Sequence, residues 1–353
     1  MQPLAVRILH PPPGPEAGAL ERSLAAARLA NAERVGGTFR TAGASDVRIE
    51  TGAPAGSFGG RLRELVEGLP TRSGIVVLGS GAIALATRRD AAEFVEVAGS
   101  GERRALANSF YSADVVAVGD VSALAGVPEL TGDNALPRWL AEVAGFEVRD
   151  LRHRWRLAVD LDSPLDVLLT GRSLQGIEVE RVVDRIRRLR DVAADPRAEL
   201  VIAGRTSSAT LRWLERSTAS RTRALVEERG LRATGLSAAR AGASLRWQRP
   251  PRSALGLVLD ERGPEAFGTV LAELGDAAMV DTRVMLAHRL GADESGWPGA
   301  EDRFASDLLL PDEIRDPWFR ALTASARDSA IPVLLGGHTL VGPGVRLALR
   351  APR

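Results

Sequence analysis

The segment GIVVLGSG at residues 74–81 runs from Gly74 to Gly79 without one polar side chain. A strand alternates its side chains between two faces, so an unbroken apolar run has to be covered on both. That is the pattern of a central strand in a parallel sheet with helices on either side. The neighbouring chain follows the same plan. LAVRILH (4–10) reads as a strand closed by Pro11-Pro12-Pro13-Gly14, residues 16–42 as a long amphipathic helix, and DVRIE (46–50) as the next strand. Beyond the central strand come a helix at 90–99, a strand at 113–119, a helix at 134–145 and the stretch WRLAVDLD (155–162), read as a closing strand. This alternation predicts an α/β fold with a doubly wound, mostly parallel sheet over residues 1–171.

A charged helix over 172–196 then reads as a connector, its Arg185-Arg187-Arg188-Arg190 cluster a solvated face without the interleaved aromatics of a nucleic-acid surface. Residues 197–353 read as a second α/β domain. Its apolar runs lie at 198–204, 231–237, 253–263, 277–291 and 331–350, with no repeat of the first half.

The run VDLDSPLDVL (159–168) places Asp160 and Asp162 two residues apart. On a strand they share a face, at the carboxyl end where open α/β sheets bind ligands. Paired carboxylates repel unless a cation or a basic partner compensates them, and Mg²⁺ suits one or two carboxylates together with substrate phosphates. Two other readings stand beside this one. Asp162 or Ser163 can cap the following helix, with Pro164 at its first position. Arg152, Arg154 or Arg156, alternating into the same strand, can supply an ion pair in place of a metal.

Composition narrows the chemistry. There is no lysine, so all 46 basic residues are arginine. A Walker A loop and a Schiff-base lysine are thereby excluded, and arginine must do all cationic phosphate recognition. The absence of cysteine excludes disulfides, thiolate zinc sites and cysteine nucleophiles. The four histidines, His10, His153, His288 and His338, have no metal-ligand spacing. With 46 basic against 45 acidic residues there is no bias toward nucleic acid or membrane. No stretch has the length of a membrane span, and the first apolar run is too short for a signal peptide. The expectation is a cytoplasmic protein.

With its strands in this order, the amino half resembles the nucleotidyltransferase superfamily of the MobA-like and phospholactate-guanylyltransferase type. The resemblance rests on VDLDSPLDVL, supported by ALANSFYSADVVAV (105–118) and by GIVVLGSG. It implies that Asp162 helps hold a divalent metal on the nucleotide phosphates with Asp160 beside it. It further implies that the segment with Asn108 and Ser109 contacts the nucleotide or substrate; Gly79, Ser80 and Gly81, where glycines let backbone amides approach a ligand, and Arg154 are expected to join it. The implied activity is guanylyl- or cytidylyltransferase-like: with Mg²⁺, a nucleoside triphosphate transfers its nucleotidyl group to a small phosphorylated acceptor. Two departures stand out. HPPPGPEAG replaces the superfamily's glycine-rich basic loop, its prolines lacking the N–H donors such a loop offers, and Gly79-Ser80-Gly81 replaces its acid after the central strand. They open the alternative of a catalytically inactive binding or scaffold protein recognising an anionic metabolite.

In the carboxyl half, AGRTSSATL (203–211) puts Arg205, Thr206 and Ser207 where a strand passes into a helix, a natural anion site. His338, in the glycine-rich GGHTLVGPG, is placed to contact the same ligand. Asp281 and Arg283 alternate on an apolar strand and read as a mutual or cross-strand ion pair. The partners implied are a nucleoside triphosphate and a small phosphorylated metabolite, with a second copy of the chain as a candidate homodimer and neither nucleic acid nor membrane.

Overall fold

A computed structural model describes residues 4–52, 56–71, 73–130, 133–228 and 251–350. The chain divides into two compact units. One comprises residues 4–15 and Ala25–Leu161; the other comprises Glu16–Leu24 and, among the described residues, 162–228 and 251–350. The fold is α/β in both. The run at 231–237 named above lies outside the described residues.

The first unit holds a six-stranded sheet in the order β2-β1-β3-β5-β4-β6. These are β1 (Leu4–Leu9), β2 (Asp46–Glu50), β3 (Gly74–Gly79), β4 (Arg104–Ala107), β5 (Val115–Val118) and β6 (Glu147–Asp150). β1 pairs in parallel with β2 and β3, and β4 with β6, while β5 runs antiparallel to both its neighbours. The apolar run of β3 is central, as its composition requires. Val76 and Leu78 face a core with Val6, Ile8, Phe39 and Phe94. Ile75 and Val77 face the opposite core with Leu62, Val116, Trp139 and Leu140. Four helices, α1 (Ala19–Thr41), α2 (Phe58–Val66), α3 (Arg88–Ala98) and α4 (Leu136–Glu142), supply the covers.

The expected closing strand is not one. Trp155–Ala158 forms a 3₁₀ turn, and Val159–Leu161 then lies along the turn after β3, with Ala84 N–H donating to Val159 C=O and Leu161 N–H to Gly81 C=O. The edge beside β4 is taken by β6 instead. Asp160 and Asp162 therefore do not share a strand face.

The second unit carries a parallel sheet in the order β10-β9-β7-β8. Its strands are β7 (Glu199–Gly204), β8 (Arg221–Val226), β9 (Ala277–Asp281) and β10 (Val333–Gly336). The connection from β7 steps to one side and the chain later returns to the other, so the strand order reverses between β7 and β9. Helix α5 (Pro164–Leu169) belongs here, as do α6 (Glu180–Ala194), α7 (Ser208–Ser217) and α8 (Ala254–Arg262), the last formed by the apolar run at 253–263. The apolar runs at 277–291 and 331–350 each begin as a strand and end as helix, with α10 (Thr282–Leu290) following β9. Helix α9 (Phe267–Leu274) precedes the first of these runs, and α11 (Ala300–Asp307) and α12 (Pro317–Arg327) lie between the two. The short α13 (His338–Val341) and α14 (Gly344–Leu349) follow β10.

Helix α6 is no free connector. Val182, Ile186 and Leu189 are buried, and the buried Arg185 guanidinium donates to the carbonyls of Ile331 and Arg327. Arg190 donates to the carbonyl of Ala348. The expected solvated arginine face is thus partly spent on carbonyl oxygens of its own unit. No described helix is long and apolar enough to cross a membrane.

Ser163 caps α5, Pro164 occupies its first turn, and Asp166 closes a capping box. One Asp166 oxygen accepts from Asp162 N–H, Ser163 N–H and the Ser163 hydroxyl. Burial, followed by the nearby Asp162 carboxylate, pushes the Asp166 carboxyl up to about 8 against the opposing Ser163 hydrogen bonds. The unfolded carboxyl titrates near 4. Between about pH 4 and pH 8 the native state therefore keeps a proton that the unfolded chain has released, and stability falls as pH rises, levelling off above 8. Asp166→Asn keeps an acceptor oxygen and removes the titration. Urea unfolding across this window should show wild type losing up to about 1.4 kcal/mol per pH unit more than the variant; identical slopes would contradict the assignment.

Candidate functional site

At the carboxyl edge of the first sheet, two of the segments that carry the resemblance, GIVVLGSG and the start of VDLDSPLDVL, meet. β3 ends in Gly79, and the chain turns through Ser80 and Gly81 with Ser80 N–H on Leu9 C=O and Ala82 N–H on Gly79 C=O. A side chain on Gly81 would put its Cβ 2.6 Å from Asp160 Oδ1 and 3.2 Å from Arg28 Nε. Only a residue without Cβ lets that carboxylate and that guanidinium come so close to the turn. Arg28 Nε donates to Leu161 C=O at 2.6 Å, and Asp160 Oδ1 accepts Leu161 N–H at 2.8 Å.

Helix α1 holds the turn from below. The buried Asn31 side chain donates to the carbonyls of Ser80 and Ala82. His10 and Ser80 are both buried and share a hydrogen bond of 3.0 Å between Nδ1 and Oγ. Burial and then the Arg28 charge hold the His10 pKa below its ordinary value, so the ring is neutral near pH 7. Arg28, Asn31, Val35 and Phe39 follow the 3–4 spacing of one helix face. Two polar residues on a stripe that otherwise enters the core were the available sequence signal for this cluster, and His10 closing a buried strand was another.

On the opposite face of β3 lies a cavity of about 210 Å³ lined by Leu9, Phe58, Val77, Gly79, Asp114 and Leu136 among others. A Cβ on Gly79 would have nothing within 4 Å. Asp114 is fixed at this cavity by the buried Asn108. The amide of Asn108 donates to Asp114 Oδ2 at 2.7 Å and to Leu157 C=O at 2.9 Å, while its oxygen accepts the N–H of Asp114 and Val115. Asn108 has no capacity left for a base, so its place is behind the pocket wall, as the residue that orients Asp114. Ser109 is half-buried in the next turn.

Other expected residues are engaged elsewhere. Arg154 pairs with Asp90 at 3.1 Å and Glu93 at 2.6 Å, and Arg156 approaches Asp90 at 3.5 Å. Burial pushes the Asp90 carboxyl up, but hydrogen bonds from Thr87 and Arg154 outweigh it and hold the pKa below the usual range. Arg152 pairs with Asp150. None of these pairs involves Asp160 or Asp162. Asp162 is exposed, and its N–H serves the α5 capping box. In the second unit, Arg205 grips the buried Asp281 through Nε at 2.6 Å and Nη2 at 3.1 Å. Thr206 donates to Val341 C=O, and Ser207 caps α7. Of the two pairings expected for Asp281 and Arg283, the mutual one is not formed; each pairs across elements, Asp281 with Arg205 and Arg283 with Asp307. His338, half-buried, opens α13.

Mg²⁺ suits two unencumbered carboxylates better than this donor set. Asp160 is already an acceptor for its own chain and has a guanidinium close by, and the turn opposite supplies Ser80 in place of an acid. Among the described residues no group of three His, Cys, Asp or Glu is disposed to hold a metal. No protein-family model and no curated protein matches this chain.

Asn108 separates two roles cleanly. As a buried bracket, its replacement by alanine leaves Asp114 and Val115 amides without their acceptor, which costs about 1–3 kcal/mol for each group left unsatisfied. Asn108→Ala should lower the urea midpoint markedly with no ligand present. An unchanged midpoint would return Asn108 to the role of a direct ligand contact.

Proposed function

We propose that the first unit is a nucleotidyltransferase-like module that binds a nucleoside phosphate at the carboxyl edge of its sheet, as a binding protein and not as a metal-dependent transferase. The observation that carries this reading is the apolar cavity at the ends of β1 and β3, with Gly79 facing open space and Asp114 as a fixed polar group. Pockets with apolar walls and a few placed polar groups are the common form of small-ligand sites, and this one is of a size for a planar ring, not a whole nucleotide. The juxtaposition of the Gly79–Gly81 turn with Asp160 supports the likeness to the superfamily. The poor fit of the donor set to Mg²⁺ supports binding over transfer, with Arg28 as a cation in that corner.

Transfer chemistry of the superfamily type needs its triphosphate neutralised while the acceptor attacks. Here Arg154, the arginine expected to contact the nucleotide, is committed to Asp90 and Glu93. The reading is tested by calorimetric titration of GTP, CTP, GMP and CMP with Mg²⁺ and with EDTA. Saturable binding that EDTA leaves within about twofold is expected. Gly79→Val should fill the cavity and weaken binding at least about tenfold, a loss of about 1.4 kcal/mol, without lowering the unfolding midpoint. Binding that requires Mg²⁺ would restore the transferase reading, and binding untouched by Gly79→Val would remove the cavity from it.

A further inference from the structure

The second unit has a crevice of its own, independent of the nucleotide reading. In doubly wound sheets the ligand position is outside the carboxyl ends of the strands, where the strand order reverses. Here that point lies between β7 and β9, and a cavity of about 210 Å³ sits there, lined by Arg205 after β7, Glu228 after β8, Arg283 after β9, and Glu294 and Trp297 among others.

Both arginines are held rigidly from behind. Asp281 and Asp307 are fully buried, and each takes a guanidinium in a two-point grip. Such pairs are expensive to desolvate, but they fix the remaining donors in place. Nη1 of Arg205 and Nε of Arg283 have no hydrogen-bond partner among the described residues. Fixed N–H groups without acceptors at a cavity call for an oxyanion, and a guanidinium presents a fork that matches a carboxylate. The rest of the lining has the opposite preference. Glu228 and Glu294 are exposed carboxylates, and Glu228 holds φ at 51°, a conformation non-glycine residues seldom adopt. Even with Arg303 on Glu294 at 3.3 Å, the guanidiniums of Arg205, Arg283 and Arg303 are outnumbered by the carboxylates of Asp281, Asp307, Glu228 and Glu294, so there is no surplus of positive charge for a simple anion. Trp297 is anchored through its indole N–H on Gly291 C=O at 2.8 Å and offers an aromatic wall.

We propose that this crevice binds a small amino acid or a close analogue, a zwitterion with an apolar side chain. Its carboxylate meets Arg205 and Arg283, its ammonium meets Glu228 and Glu294, and its side chain lies against Trp297. An ammonium between carboxylates and an indole gains from both Coulomb attraction and the ring face.

The test uses the full chain and calorimetric titration with L-leucine and L-phenylalanine, alongside phenethylamine and 3-phenylpropionate, which each keep only one of the two charges. Saturable binding of at least one amino acid is expected, with amine and acid each weaker by about tenfold or more. Glu228→Gln, at an exposed position, should weaken the amino acid by about tenfold and leave the acid unchanged, with the same unfolding midpoint as wild type. Trp297→Ala should weaken leucine and phenylalanine but leave glycine as it was. An acid that binds as tightly as the amino acid, or the absence of saturable binding by either amino acid, would overturn the proposal.

Discussion

The first unit depends on two backbone hydrogen bonds that tie Val159–Leu161 to the turn beyond β3, from Ala84 N–H to Val159 C=O and from Leu161 N–H to Gly81 C=O. They bring a segment far along the chain against the end of the central strand. Asp160 then reaches the point where Gly81 has no side chain, and Leu161 C=O becomes the acceptor for Arg28. Asn31 holds the same turn from α1, and Asn108 ties Leu157 to the start of β5. Arg28, Asn31, Asp160 and Asn108 are thus each held by backbone carbonyls or amides, which are far less adaptable than side-chain pairs.

A chain whose only strong cation is arginine uses it largely as scaffolding. Guanidinium forks donate to peptide carbonyls at Leu161, Ala84, Val127, Ile331, Ala348 and Ile314. Others are gripped by buried or capping carboxylates, as at Asp90, Asp281 and Asp307. Arginine suits this work because its donors are planar and fixed and its charge cannot be titrated away. Lysine, a flexible point charge, could not replace it at two-point sites. An arginine in this sequence is therefore weak evidence for an anion, and the informative arginines are those whose donors are only part-used.

How much was legible follows from the physics of each element. The apolar run of β3 announced a central strand because nothing else buries six such residues on both faces. Ser163-Pro164 announced the start of α5 through local capping chemistry. The closing strand was misread because alternation at Trp155–Asp162 resembles a strand, while the sheet edge was taken by the more polar Glu147–Asp150. The sequence of that edge strand, EVRD, carries no strong apolar signal because only half of it is covered. Arg205 was noticed at its strand-to-helix junction, but its grip on Asp281 joins residues far apart in sequence, a pairing that spacing cannot reveal. Asn108 likewise looked like a ligand residue because a buried bracket and a binding loop draw on the same polar side chains.

The account stands or falls on whether a nucleoside enters the cavity beside β3. Titration of guanosine and cytidine phosphates in EDTA, followed by methyl NMR of Leu9, Val77 and Leu136, reads that position directly. The account predicts saturable shifts concentrated on these methyl groups, absent in Gly79→Val. Shifts confined to surface methyl groups, or none at saturating nucleotide, would contradict it.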